Sequence, residues 1–134
     1  VVCAISVIAV LWLAASGLVC DARGFVRIDE HLRSVSHPHV YAAGDCGTQD
    51  GHPHPRSGVY AVRQGPPLAG NLRAAAVGRP LRSYRPQPIA LALISTGGKH
   101  AVAVWGPIAF AGDWVWRWKD RIDRRFMRRY RVGA

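Results

Sequence analysis

The sequence predicts an α/β fold, and three stretches predict it. Val40-Tyr41-Ala42-Ala43 is a short apolar run that stops on Gly44-Asp45. Such a run fits a buried strand of a parallel sheet, covered on both faces. An Ala-rich helical pattern follows at about 57–77. A strand-rich region and a closing amphipathic pattern occupy the rest, so the order is that of a layered α/β architecture. The break at Gly78-Arg79-Pro80 divides the chain into residues 1–80 and 81–134.

Val1 to Val19 carries no charged residue, and these nineteen positions are just long enough to span a bilayer. A membrane helix is therefore the rival reading there. Ser6, Ser16, Gly17, the β-branched start and the lack of basic flanks argue against it. Cys20-Asp21-Ala22-Arg23-Gly24 reads as a turn. Phe25 to Ile28 alternates and reads as a strand, with Phe25 and its period-2 neighbours covered. His31 to His39 is a loop in which Pro38 holds His37 extended. The strand at 40–43 follows, then a polar, proline-bearing loop over 46–56.

Ser57 is placed as the N-cap of the Ala-rich helix, with Gly58, Val59 and Tyr60 as its first turn. Pro66-Pro67 is expected to interrupt or kink that helix, since neither proline donates a hydrogen bond. Ile89 to Ser95 and His100 to Trp105 predict a β-hairpin over about 89–105, joined by Thr96-Gly97-Gly98-Lys99. That joint is no phosphate loop: it lacks the first glycine and the following Ser or Thr, and no helix succeeds it. Ile108 to Ala111 is a candidate third strand. Asp113 is placed as the N-cap of a last helix running to about 130. Trp114, Trp118, Ile122, Phe126 and Tyr130 recur at i+4, and this stripe is expected to be buried against the hairpin.

The length suits one modest domain, yet the chain starts on Val and its one Met is Met127, which predicts a piece of a longer protein. The net charge is +10, and residues 114–131 hold eight of the eighteen Lys and Arg against two Asp. The basic balance thus describes the last helix and not the whole surface. Cys3, Cys20 and Cys46 form no C-x-x-C pair and no even-numbered framework. That predicts a reducing compartment and no redox dithiol within this chain.

Gly44 permits a sharp turn or the close approach of a ligand. Asp45 falls where open α/β sheets bind ligands, at the carboxyl end of a strand. Cys46 would lie beside such a ligand, but nothing near it in sequence would activate the thiol beyond a helix N-terminus. His37, His39, His52 and His54 sit in Pro-fixed loops without zinc-site spacing, so no metal site is assigned.

Around this centre stand Ser16-Gly17-Leu18, Asp21-Ala22-Arg23-Gly24-Phe25-Val26-Arg27-Ile28-Asp29, Leu32-Arg33-Ser34 and His37-Pro38-His39. Downstream stands Ser57-Gly58-Val59-Tyr60-Ala61-Val62-Arg63-Gln64-Gly65. This order closely resembles the C-terminal part of the FAD-dependent pyridine nucleotide-disulfide oxidoreductases, in their type II NADH dehydrogenase-like branch. The tail from Trp114 to Met127 is similar to the oxidoreductase half found fused to selenide, water dikinase in some proteins. The resemblance starts at about Trp12; Ala4-Ile5-Ser6 stands where relatives usually have Ala-Thr-Gly. It implies a strand ending near Ser6, a loop, and a short helical turn around Trp12 to Ser16.

The resemblance implies the C-terminal part of a flavoprotein with two dinucleotide-binding domains, closed by a β-hairpin and a long helix. It implies FAD as cofactor and NAD(P)H as substrate. Gly44-Asp45 matches the motif whose carboxylate bonds a ribityl hydroxyl of FAD. Ser57, Gly58 and Val59 match the helix start that faces the flavin's pyrimidine side. Gln64 falls near a glutamine beside the quinone pocket, although Pro66-Pro67 departs from the quinone-reducing pattern. No G-x-G-x-x-G occurs in the chain, so about half of a flavin site is present. This chain alone is expected neither to retain FAD nor to turn over. The implied partners are the missing N-terminal FAD and NAD(P) segments of the same chain and a C-terminal kinase domain. The implied location is cytoplasmic, with the inner face of a membrane as a further surface.

A second class is a membrane-associated protein, with an N-terminal hydrophobic segment and a basic interfacial C-terminal helix. A third is nucleic-acid binding through the same arginines. That would rest on charge alone, so no specific nucleic-acid partner is assigned.

Overall fold

The computed structural model describes residue 9 and residues 11–130. The strand expected near Ser6, the β-branched start and Cys3 lie outside the described residues. The chain forms two compact units, residues 1–88 and 89–134. Residues 81–88, grouped with the second part by the sequence pattern, belong to the first unit. Tyr84 N donates to Glu30 O at 2.7 Å, and Gln49 Nε2 donates to Tyr84 O at 2.8 Å.

The first unit is mixed α/β. Helix α1 (Leu11–Ala15) is a single short turn of helix. It ends at Ser16, whose hydroxyl donates to Leu13 O, and at Gly17, with φ +84°. No uninterrupted helix therefore runs over 1–19. Among the described residues no helix is long and apolar enough to cross a membrane.

Strand β1 (Val26–Ile28) pairs in parallel with β2 (Gly47–Gln49), Val26 against Gly47 and Ile28 against Gln49. This corrects three expectations. The parallel partner of β1 lies inside the stretch expected as a loop. Residues 40–43 form no strand. Val35 N donates to Arg27 O, so the segment after the Asp29 turn takes the second edge of β1. Residues 40–42 then pair irregularly outside that segment, through Ser34 N to Val40 O, Ala42 N to Leu32 O and an antiparallel bridge of Tyr41 with Arg33. The buried face of β1 is also the other one: Val26 and Ile28 are covered, and Arg27 reaches out to Asp50 at 2.7 Å. Phe25 is buried just ahead of the strand.

The core of this unit is Leu13, Val26, Ile28, Leu32 and Ala42, with Leu18, Cys20, Leu68 and Tyr84 packed on it. Leu32 is fully buried at φ +63°, a left-handed conformation that packing around it must hold in place.

Helix α2 (Gly58–Ala76) runs through Pro66 and Pro67 without interruption, contrary to the expected break. A proline inside a helix costs about 3 kcal/mol. The helix is anchored on both sides of the pair: Tyr60 and Gln64 are buried before it and Asn71 after it, on one face. Tertiary contacts thus carry the helix across the missing donors. It ends in a Schellman motif. Arg79 N donates to Ala74 O at 2.8 Å, and Gly78, at φ +65°, donates to Ala75 O at 3.2 Å.

The second unit is an antiparallel meander of β3 (Ala92–Gly97), β4 (His100–Trp105) and β5 (Ile108–Gly112), followed by α3 (Asp113–Arg128). The third strand is thus present, and the first begins at Ala92. Gly98 and Lys99, both at positive φ, make the tight turn between β3 and β4. Gly112 occupies the N-cap position, and Asp113 is the first helical residue instead of the cap.

The stripe expected to dock meets the sheet only at its first residue, where Trp114 lies edge-on to Phe110 of β5 with ring centres 6.0 Å apart. Val115 is fully buried against Ala101 and Ala103, with Leu91, Leu93 and Trp116 around them. Trp114, Trp118 and Ile122 are 51%, 39% and 41% exposed. The cause is local. Ala101 and Ala103 present little side chain, so the helix approaches closely and a small residue fills the contact. The helix also starts on the last residue of β5 without a linker, so the strand sets its rotation.

Candidate functional site

The site is built where the Gly44–Cys46 turn meets the start of α2. Gly44 has φ +72°, and a Cβ there would sit 3.3 Å from Ala61 Cβ. Both the conformation and the closeness of α2 require glycine. Gly44, Asp45 and Cys46 make one turn of 3-10 helix, and Gly47 leads directly into β2. The carboxylate therefore stands before the parallel strand and not at its end.

The structure brings the five sequence-predicted residues into one neighbourhood. Gly44 packs on Ala61 in the first turn of α2. Arg56, next to Ser57, donates from Nε to Asp45 O at 3.3 Å. The Asp45 side chain is exposed, and its carboxylate has no hydrogen-bond partner among the described residues. Ser57 holds the N-cap position with extended backbone, but its hydroxyl makes no capping bond. Tyr60 N and Ala61 N turn back to Ser57 O. The N–H groups of Gly58 and Val59 have no hydrogen-bond partner among the described residues and stand at the positive end of the helix dipole.

A second set of residues holds this neighbourhood in place. Arg56 lies with its guanidinium 3.5 Å from the centre of the Phe25 ring. Its Nη2 donates to Thr48 Oγ1 at 2.6 Å, and it stands 3.7 Å from Asp21. Burial and the nearby Arg23 lower the Arg56 guanidinium from its ordinary value, and Asp21 and Asp45 offset this only in part. Asp21 accepts from Thr48 Oγ1 at 2.7 Å and from the backbone of Arg23 and Phe25. Burial raises its carboxyl, but these donors outweigh that and leave it below the usual carboxylate range. Nothing in the sequence marked Arg56 or Thr48. Each becomes visible only when the fold folds β2 against the turn at Asp21.

Gln64 is fully buried, and its Oε1 accepts the backbone N–H of Gly44. It therefore braces the turn from behind. Cys46 is exposed and donates from Sγ to Ala43 O at 3.2 Å. Among the described residues no three His, Cys, Asp or Glu side chains gather where a metal ion could sit.

The arrangement can accept hydrogen bonds at Asp45 and donate them from Gly58 and Val59, over a glycine that leaves room for close approach. It suits a ligand with a hydroxyl on one side and an electron-rich or anionic edge on the other. Residues 1–65 match the family model described as pyridine nucleotide-disulphide oxidoreductase. The matched segment spans β1, the Gly44–Asp45 turn, β2 and the start of α2. For the part of the chain that builds the site, the match supports the pyridine nucleotide-disulphide oxidoreductase family.

Proposed function

We propose that this chain supplies part of the flavin site of an FAD-dependent NAD(P)H oxidoreductase. The observation that carries the reading is the exposed, unpartnered Asp45 carboxylate beside the free N-terminus of α2. Asp45 accepts a ribityl hydroxyl, a charge-assisted bond. Gly58 and Val59 offer N–H groups and the helix dipole to the ring edge that gains negative charge. When bound, the flavin supplies the hydride chemistry, and the protein groups bind and orient it. The dinucleotide-binding loops come from other parts of the same polypeptide, of the type II NADH dehydrogenase-like kind that also occurs fused to selenide, water dikinase.

The test is flavin content in the full-length polypeptide, read as flavin absorbance after gel filtration. Loss of a hydrogen bond to a charged group costs about 1.5–3 kcal/mol. Asp45→Ala should thus weaken flavin retention at least about tenfold, since 1.4 kcal/mol is a factor of ten. Asp50→Ala, which removes only the surface pair with Arg27, should leave it unchanged. Undiminished flavin in Asp45→Ala would make Asp45 a turn residue and sink the reading.

For α3 we propose peripheral contact with an anionic membrane surface. Trp114 and Trp118 stack with ring centres 6.5 Å apart on the outside of the helix. Arg121 and Arg125 stand on the same flank, and neither forms an ion pair among the described residues. Exposed indoles interleaved with arginines suit the boundary between headgroups and acyl chains.

A further inference from the structure

Gln64 and His54 form a chain of hydrogen bonds that ends on the turn carrying Asp45. Gly44 N can only donate, so the group of Gln64 that meets it is the oxygen Oε1. The amide orientation follows, and Gln64 Nε2 then faces His54 Nε2 at 3.2 Å. An NH2 group only donates, so His54 Nε2 must accept and carries no proton. The proton of the neutral ring sits on Nδ1, which donates to Pro55 O at 3.2 Å. The ring is fixed in this place by stacking on Tyr60, with centroids 4.6 Å apart and planes 12° from parallel. Each of these three hydrogen bonds has one donor and one acceptor only while His54 is neutral.

We propose that Gln64 is a positioning residue for the Gly44–Asp45 turn, and that protonation of His54 releases it. A proton on His54 Nε2 would set N–H against NH2. The amide of Gln64 relieves that by turning its oxygen to the imidazolium, and Gly44 N then faces NH2 and loses its acceptor. An unpaired buried N–H is unfavourable, so the turn shifts and Asp45 moves with it. The other ionisable groups near the ring are Arg23 and Arg56, which line a small cavity with His54. His52 lines a second cavity with His54, and Tyr60 lies under the ring. Among the described residues lining these cavities none is a carboxylate that would pair with the imidazolium, and the Gln64 amide is the group already in contact with Nε2. The inference deepens the flavin-site reading and rests on it for its functional consequence, while the relay itself needs no flavin.

Backbone amide NMR of this chain tests it between about pH 5 and 8, the range in which histidine changes charge. The Gly44 amide proton should move upfield as pH falls, with the same midpoint as the His54 ring signals. In Gln64→Glu a carboxylate oxygen faces Gly44 whichever state the ring is in, so the Gly44 signal should no longer follow His54. In His54→Phe, which keeps the stacking on Tyr60, the Gly44 signal should be flat with pH. A Gly44 signal that ignores the His54 midpoint in the unaltered chain, or still titrates in His54→Phe, overturns the relay. Flavin retention of full-length Gln64→Glu, measured at pH 5.5 and 7.5, separates the two claims. Retention that varies with pH in the unaltered protein and not in Gln64→Glu supports the relay acting on the site. A relay seen by NMR with no flavin loss in Asp45→Ala would leave the relay standing and remove the flavin-site reading.

Discussion

Asn71 and Arg82 are joined by two opposed hydrogen bonds: Asn71 Nδ2 donates to Arg82 O and Arg82 N donates to Asn71 Oδ1, each at 2.9 Å. The same Nδ2 also donates to His31 O at 2.9 Å. One buried side chain thus ties α2 to the segment after it and to the turn after β1. The Arg82 side chain takes no part in this.

The two residues should therefore respond in opposite ways to truncation. Asn71→Ala strands three backbone groups, and each costs about 1–3 kcal/mol if water does not reach it. Some of them lie near the surface, so a loss of roughly 2–4 kcal/mol is expected. Arg82→Ala keeps its N–H and C=O and should stay within about 0.5 kcal/mol of the parent. Urea unfolding of the two variants checks this. Equal stability of both would mean that the clamp contributes nothing.

Acid should weaken the first unit through two carboxylates. Burial raises the Asp29 carboxyl, but the backbone N–H groups of Arg33 and His31 and the His31 ring outweigh it and leave it lowered. Asp21 is lowered in the same manner by Thr48 and two backbone donors. A folded-state value below the unfolded one gives stability that is present above the unfolded value, about 3.9 for Asp. That stability disappears as pH falls through the folded-state value. The melting temperature should be level through the upper part of the acid range and drop below about pH 4. Asp21→Asn and Asp29→Asn should each start lower at neutral pH and show a shallower drop. A variant with the parent's full acid drop would remove that carboxylate from the account.

The turn at Gly44 and the helix start at Ser57 are legible because their residues carry local signals. A glycine before an aspartate and a serine before a helix act through backbone geometry, which sequence spacing encodes. The apolar run 40–43 forms no strand, for a reason that spacing does not encode. Val40 to Ala43 is apolar enough for a parallel strand, but the edge it would need is taken by residues 33–35. Pro66-Pro67 misled in the opposite direction. Its local cost is real, and anchors as far apart as Tyr60 and Asn71 outweigh it. The resemblance places Gln64 near a quinone-side glutamine, and the structure adds its bond to Gly44, which spacing does not encode. Its partner is twenty residues away in sequence.

The C-terminal helix gives the sharpest separation between a pattern and its use. The i+4 stripe is amphipathic by any count, yet the residue that meets the sheet is Val115, which stands beside the stripe and is fully buried. Val115→Ala should therefore cost about 1.5–3 kcal/mol, the worth of burying such a side chain. Trp118→Ala removes a far larger group, but one that is 39% exposed and outside the buried cluster of Val115, and its stacking on Trp114 adds about 0.5–1.5 kcal/mol to what its covered area contributes. The smaller side chain should thus be the costlier loss. Co-sedimentation with vesicles containing anionic lipid should show the reverse order. Trp118→Ala should reduce binding while Val115→Ala, measured below its melting temperature, should leave it intact. Added salt should weaken binding through Arg121 and Arg125, since screening shortens their reach to about 10 Å at 0.1 M. A larger stability loss in Trp118→Ala than in Val115→Ala would place the stripe in a buried contact and defeat the interfacial reading of α3.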